Sequence, residues 1–261
     1  MELGLADDTG IVAASSSGLG KATATALARE DANVVINGRN EDRLAKTVDE
    51  IQSIGDGDVV GIQADVTNPD EIEDLIEEAV NTFGGLDHLV TNAGGPPSGP
   101  FMNMDDDDWY DSFDLLVMSA VRLIRASAPH LRDGGGTITT IASMTVKEAA
   151  EGLVLSNSVR MGVIGLEKTL SKEFAPDIRV NAVLPGSHET SRTEELVNQG
   201  IERGDYEDYQ SGLEERYGNI PLGIGDPMDL GNTVAFLCSE RARNISGIAL
   251  PVDGGASSSN L

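Results

Sequence analysis

Cysteine is almost absent from this chain, cations are few, and no long apolar run occurs. Cys238 is the one cysteine in 261 residues, which excludes an internal disulfide and leaves a cysteine-built metal cluster without ligands. It lies in the apolar stretch Val-Ala-Phe-Leu-Cys-Ser-Glu and reads as a small buried side chain. No segment approaches the roughly 20 consecutive apolar residues of a membrane span. Met1 to Asp8 lacks the basic region and apolar run of a secretion signal. No Pro/Ser-rich linker, charge tract or internal repeat divides the chain, and 39% hydrophobic residues suffice for a large core. These absences describe a soluble, cytoplasmic protein with a single domain over 1–261.

The shortage of cations is extreme: 18 Lys+Arg face 44 Asp+Glu, a formal net charge of −26. Self-repulsion on that scale destabilises a compact state in dilute buffer. At ~1 M salt the Debye length falls to about 3 Å and the penalty largely disappears. Lysine is scarcer than arginine, and the acids are dispersed along the chain. The pattern fits a halophilic protein of a salt-rich cytoplasm; the rival reading, an acidic surface for a basic partner, fits the dispersal less well. Nucleic-acid phosphates would be repelled.

What the chain does contain is strict alternation. Strand-like runs fall at Thr9 to Ala14, Asn33 to Asn37, Val59 to Ala64, Leu86 to Thr91, Thr137 to Ile141, Arg179 to Leu184 and Ile248 to Val252. Helical spacing fills the gaps: Leu44, Val48 and Ile51 in one, Ile72, Leu75, Ile76 and Ala79 in another opened by Asn68-Pro69. A continuous helix is expected from Trp109 to Ala128. Such alternation predicts an α/β fold: a Rossmann-type, doubly wound parallel sheet of seven strands with helices on both faces. Ligands of such sheets bind at the carboxyl ends of the strands.

Ala14-Ser15-Ser16-Ser17-Gly18-Leu19-Gly20 follows the first strand and opens the first helix. Its glycines allow the backbone to approach a pyrophosphate, to which the helix N-terminus presents free N–H groups. A plain tight turn would look the same, but Arg39 stands at the end of the second strand, where an acid would grip the ribose of NAD. Arginine there suits the 2′-phosphate of NADP, so NADP(H) is expected.

With Asp65-Val66, Asn92-Ala93-Gly94, Arg179 to Gly186, Pro221-Leu222 and Pro251 to Gly255 in order along it, the chain resembles the short-chain dehydrogenase/reductase family. The resemblance is strongest to 3-oxoacyl carrier-protein reductases and covers essentially the whole length. It implies that Ala14, Ser16, Ser17, Gly18, Leu19 and Gly20 hold the pyrophosphate, and that Arg39 meets the 2′-phosphate. Asp65 and Val66 would contact the adenine, and Asn92, Ala93 and Gly94 would flank the cofactor. Pro185, Gly186 and Thr190 would border the nicotinamide, and 187–220 would form a substrate lid. Ala14 replaces the family's first loop glycine.

The resemblance also implies a serine, a tyrosine thirteen residues on, a lysine four further, and an asparagine from an earlier helix. Ser143 supplies the first, but Ser156, Arg160 and Leu116 stand at the other three positions. A serine hydroxyl is far less acidic than a phenol and stops about a ring's length short of the ~2.6–3.2 Å that proton transfer needs. Arg160 keeps the charge for the ribose but will not release a proton. Lys147, four residues past Ser143, His188, after Pro185-Gly186, and a bound water are substitute donors; a surface lysine and a solvated loop histidine are the plainer readings. His88 and His130 read as structural, and no histidine has metal-ligand spacing. Asp105 to Asp108 suit a helix N-terminus better than a metal. Three functions remain open: a reductase of a carbonyl or acyl substrate, a silent dinucleotide binder, and non-redox chemistry. A homo-oligomer, a tetramer in the family, is expected to pair helices 112–128 and 156–174.

Overall fold

The computed structural model describes residues 2–132 and 135–259; Met1, Asp133, Gly134, Asn260 and Leu261, within the expected 1–261 domain, lie outside the described residues. Seven strands, β1 (Thr9–Val12), β2 (Asn33–Gly38), β3 (Val59–Gln63), β4 (His88–Thr91), β5 (Gly136–Ile141), β6 (Ile178–Pro185) and β7 (Ala249–Val252), form one sheet. Their spatial order is β3-β2-β1-β4-β5-β6-β7 and every neighbouring pair is parallel. The order reverses between β1 and β4, where Ile11 sits opposite Leu89. Each expected strand is present.

Side chains alternate across the strands, so each strand feeds two cores. Val12, Val34, Ile36 and Val90 pack on one face with Leu27 of α1 (Gly18–Ala28) and with Leu44 and Ile51 of α2 (Glu41–Gln52). Leu230 and Val234 of α9 (Pro227–Cys238) join them, and Cys238 is buried there. Gly231 lets α9 press against α1, because a Cβ there would lie 2.5 Å from the Ala22 carbonyl oxygen. Ile11, Val35, Leu89 and Ile138 face the other way, onto Leu75 of α3 (Pro69–Phe83) and Leu123 and Leu131 further along. Truncating one such leucine to alanine costs about 2–5 kcal/mol. Asn68 caps α3 through a hydrogen bond from the Asp70 N–H, with Pro69 in the first turn.

The helix expected from Trp109 to Ala128 is present, with a π turn inside it. The chain forms α4 (Asp106–Phe113), a π-helical turn (Asp114–Met118) and α5 (Ser119–Arg132). A π turn widens the helix by one residue without breaking the apolar pattern, so periodicity did not reveal it. Asp105 and Asp108 close a reciprocal capping box on α4. Beyond β5 come α6 (Val154–Glu173) and, after β6, the insert expected to be a lid, which is a pair of helices, α7 (Ser191–Arg203) and α8 (Tyr209–Tyr217). Among the described residues no helix is long and apolar enough to cross a membrane.

Candidate active site

A cleft of about 1150 Å³ opens along the carboxyl ends of β1, β2, β4, β5 and β6. The residues that the resemblance assigned to the cofactor, with Ser143, Ser156 and Arg160, line it: Ala14, Ser16 to Gly20, Arg39, Asp65, Val66, Asn92 to Gly94, Pro185, Gly186 and Thr190.

At one end the β1–α1 turn is held by side chains from its neighbours. Ala14 donates its N–H to Asn37 Oδ1 at 2.6 Å, and Asn37 Nδ2 donates to the Ala64 carbonyl at 3.0 Å, so one buried amide ties β1, β2 and β3 together. Asn92, at the end of β4, donates to the carbonyls of Ala13 and Ala14, both at 3.2 Å. Gly18 has φ +58, and a Cβ on Gly20 would fall 2.6 Å from the Ala14 carbonyl oxygen, so both positions need glycine. Ser17 forms no side-chain cap on α1, and no acid occupies the first helical turn. The N–H groups of that turn therefore point their partial positive charge into the cleft. Farther out, Arg39 is exposed and lies 3.7 Å from Asp65. Arg43, in the first turn of α2, also lines the cleft. Sequence reasoning missed Arg43 and Asn37; the signals were a second arginine one turn beyond Arg39 and a polar residue ending an apolar strand.

The opposite end is built on β5 and α6. Ser143 follows β5, and its hydroxyl accepts from the Thr145 N–H at 3.2 Å and from Thr145 Oγ1 at 3.0 Å. Thr145 Oγ1 also lies 3.1 Å from Ser156 Oγ. Thr145, not foreseen from the sequence, thus joins the two serines into a chain of three hydroxyls. One turn after Ser156, Arg160 donates from Nη1 to the Ala142 carbonyl at 3.2 Å, while its Nε is buried without a partner. Burial, and then the charge of Arg192, lower its pKa to about 10, so it is cationic at neutral pH. Leu116, in the π turn, lines a small cavity behind Arg160 together with Thr140. Two turns past Arg160, Glu167 is buried, accepts from Thr140 Oγ1 at 2.5 Å and leaves Oε2 unpartnered.

The helical pair α7–α8 borders the cleft. Thr190 sits beside the β1–α1 turn, its methyl 3.8 Å from where a Gly18 Cβ would stand. Ser98 hydrogen-bonds Gln199, and Arg192 Nη2 donates to the Pro96 carbonyl at 3.0 Å, both joining α7 to the loop after β4. Gly186 is required because a Cβ would lie 2.7 Å from Asp253. His188 lines the cleft but is buried, with Nδ1 3.4 Å from the Gly186 carbonyl; burial lowers its pKa below the ordinary imidazole value. The solvated loop histidine of the plainer reading is thereby corrected. Lys147 ends the short turn after Ser143 and, unlike Thr145 and Glu148, does not line the cleft, so the surface-lysine reading stands and the substitute-donor reading does not. His88 is buried between Thr137 Oγ1 at 2.9 Å and Asp8 Oδ2 at 3.1 Å, away from the cleft, and His130 lies in α5. Tyr217 of α8 is a phenol on the cleft wall that receives the Arg216 Nε proton at 3.1 Å.

Comparison with known proteins places this geometry. The sequence profile described as enoyl-(acyl carrier protein) reductase matches residues 13–257. A 3-oxoacyl-[acyl-carrier-protein] reductase of Staphylococcus aureus is 33% identical over 249 residues, 94% of this chain and 96% of that protein. Human dehydrogenase/reductase SDR family member 4 is 32% identical over 258 residues, 97% of this chain and 89% of its own. Among solved structures, L-sorbose reductase of Gluconobacter frateurii, complexed with NADPH and L-sorbose, superimposes with a TM-score of 0.93 at 32% identity over 99% of this chain and 100% of that one. A 7α-hydroxysteroid dehydrogenase complexed with NADH and 7-oxo glycochenodeoxycholic acid gives 0.88 at 30% identity, covering 97% and 96%.

Proposed function

The chain belongs to the short-chain dehydrogenase/reductase family, and on that premise we propose that it is an NADP(H)-dependent oxidoreductase of a carbonyl or secondary alcohol, with a catalytic site that departs from the family's. The observation that carries this reading is one cleft running from Arg39 and Arg43 past the α1 N-terminus to Ser143, Ser156 and Arg160. The residues fit a dinucleotide. Glycine is obligatory where the backbone must come close, the first-turn N–H groups of α1 are left for a pyrophosphate, and two guanidiniums stand where a 2′-phosphate would lie. Asp65 and Val66 would hold the adenine, Asn92 to Gly94 the ribose side, and Pro185, Gly186 and Thr190 the nicotinamide. When bound, the cofactor supplies or accepts a hydride.

The chain's own residues do the rest. Ser143 offers its hydroxyl to a substrate oxygen, and Thr145 fixes that hydroxyl relative to Ser156. Arg160 contributes a fixed positive charge for the ribose hydroxyls and does not move a proton. Ser156 and Arg160 stand for the tyrosine and lysine of the family, and loss of the phenol costs about 10²–10⁴ in rate. Proton-carrying groups on the wall include Ser156, His188 and Tyr217. The relatives act on 3-oxoacyl, sugar and steroid carbonyls by name, and the proposed substrate class is a small carbonyl or acyl compound.

Ser156 also favours a second reading, a silent dinucleotide binder, which would bind NADPH without turning over any carbonyl. Tyr110, Phe113 and Met161 are exposed on α4, its end and α6, supporting a homo-oligomer, a tetramer by the resemblance; a sedimentation mass of one chain would exclude it. The decisive test is calorimetric titration with NADPH and NADH in molar KCl. Micromolar, NADPH-selective binding is expected; binding of neither defeats the proposal.

A further inference from the structure

We propose that the substrate of this cleft carries a carboxylate beside its carbonyl group, bound by Arg192 of α7 in the field of Arg160. This rests on the reading of the cleft as a dinucleotide-and-carbonyl site and names the class of molecule it takes.

Arg192 reaches across from the lid to the loop after β4. Its guanidinium lies flat on Gly95, where a Cβ would fall 2.9 Å from Nε, and Nη2 is anchored on the Pro96 carbonyl at 3.0 Å. Arg160 holds its guanidinium at the end of β5, through the Ala142 carbonyl at 3.2 Å. Because β4 and β5 are neighbours, the two cations stand on the walls of one cleft, with the hydroxyls of Ser143, Thr145 and Ser156 lining the same space. Burial, and after it the charge of Arg192, lower the Arg160 pKa. Among the described residues no carboxylate lies within ion-pair distance of Arg160, and its Nε is buried without a partner.

Two like charges brought together at a partly desolvated site cost free energy unless an anion stands with them. The nearby carboxylates fill that role only in part. Glu195, itself on the cleft wall, engages Arg192 Nη1 at 3.2 Å through a side chain more than half exposed, where solvent weakens the pair, and Glu148 accepts from the Ser258 N–H. Arg216 of α8 adds a third guanidinium to the wall. In a chain with 18 Lys+Arg and 44 Asp+Glu, three arginines lining one cleft from α6, α7 and α8 are a concentrated use of a scarce charge. A neutral ketone would gain nothing from them. A short oxo acid, or the hydroxy acid it becomes, places its carboxylate on Arg192 while its carbonyl oxygen reaches Ser143. A guanidinium–carboxylate pair of this kind gives charge-assisted, geometrically specific hydrogen bonds.

The test compares oxamate with its uncharged counterpart oxamide, by calorimetry, on the protein with and without saturating NADPH. Wild type is expected to bind oxamate at least about tenfold more tightly than oxamide. Arg192→Met, with unchanged thermal melting, should lose that preference, and Arg192→Lys should keep part of it. Equal affinity for the two probes in wild type, a comparison that needs no variant, overturns the proposal. So does an Arg192→Met variant that retains the preference. The two readings fail separately. Absence of NADPH binding defeats the oxidoreductase reading, while an Arg192-dependent preference for oxamate in the cofactor-free protein still establishes the anion site.

Discussion

Glu167 carries a carboxyl in a place where a carboxylate has no counter-charge. Burial pushes its pKa up to about 8, against the opposing effect of the Thr140 hydroxyl. The folded chain therefore holds this proton more tightly than the unfolded chain does. Its contribution to stability is complete below the unfolded value of about 4.5 and is lost as the pH rises through about 8. Glu167→Gln keeps an acceptor for Thr140 and removes the titration. Unfolding by urea at pH 5 and pH 9 should show the variant gaining on wild type as pH rises, by an amount on the order of 3–5 kcal/mol. A constant difference across that range would show that Glu167 titrates normally. Ala14 illustrates a different residue-scale cost. It sits at φ +48, a conformation that costs an L-residue roughly 1–2 kcal/mol, in the turn where the family's pattern has glycine.

Helix α6 explains how the catalytic end is both preserved and altered. Residues four apart lie on one helical face, so Ser156 and Arg160 project into the cleft from the positions that the spacing from Ser143 predicts. The scaffold around them is intact, with Ser143 held by Thr145 and Arg160 held by Ala142. Ser156→Tyr combined with Arg160→Lys should therefore raise NADPH-dependent reduction of a reactive ketone, such as ethyl pyruvate, by about 10²-fold or more. No gain, with NADPH binding retained, would show that the altered π turn and Leu116 or the lid also obstruct the chemistry. From the sequence, 187–220 was expected to be a lid by resemblance alone, and its two helices, α7 and α8, were not foreseen. Gly200 of α7 and Gly212 of α8 make room for the Tyr206 ring between them, and α8 buries just Gly212 and Tyr217, so helical spacing is faint there.

Charge acts on the whole molecule. Ion pairs such as Arg122–Asp114 and Lys21–Glu50 engage some of the acids, but a net charge of −26 leaves strong repulsion between the rest. Raising KCl from 0.1 to 2 M should increase Tm by roughly 10 °C or more, equivalent to several kcal/mol at this chain length. An equal rise with an uncharged osmolyte would point to general exclusion effects instead of screening. This is the direct test of the salt-rich setting inferred from composition.

The fold was legible in the sequence, and so were the residues that line the proposed cofactor end, because both are written in local terms. Seven strand periods are separated by helical ones, and a glycine-bearing turn must follow the first strand closely. The residues of the catalytic end were legible only by position along the chain: Ser143, Ser156 and Arg160 could be counted, but their surroundings could not. Asn37 as the tie across three strands arises from packing between segments distant in sequence, whereas Thr145 and Arg43 are chain neighbours of Ser143 and Arg39 that only the fold turns into the cleft. The burial of His188 and Glu167, which decides whether each is charged, depends on what the lid and the sheet exclude from water. Sequence periodicity records which face of an element is apolar, whereas electrostatics depends on which charges and dipoles the assembled elements bring within a few ångströms. Tertiary structure alone decides that.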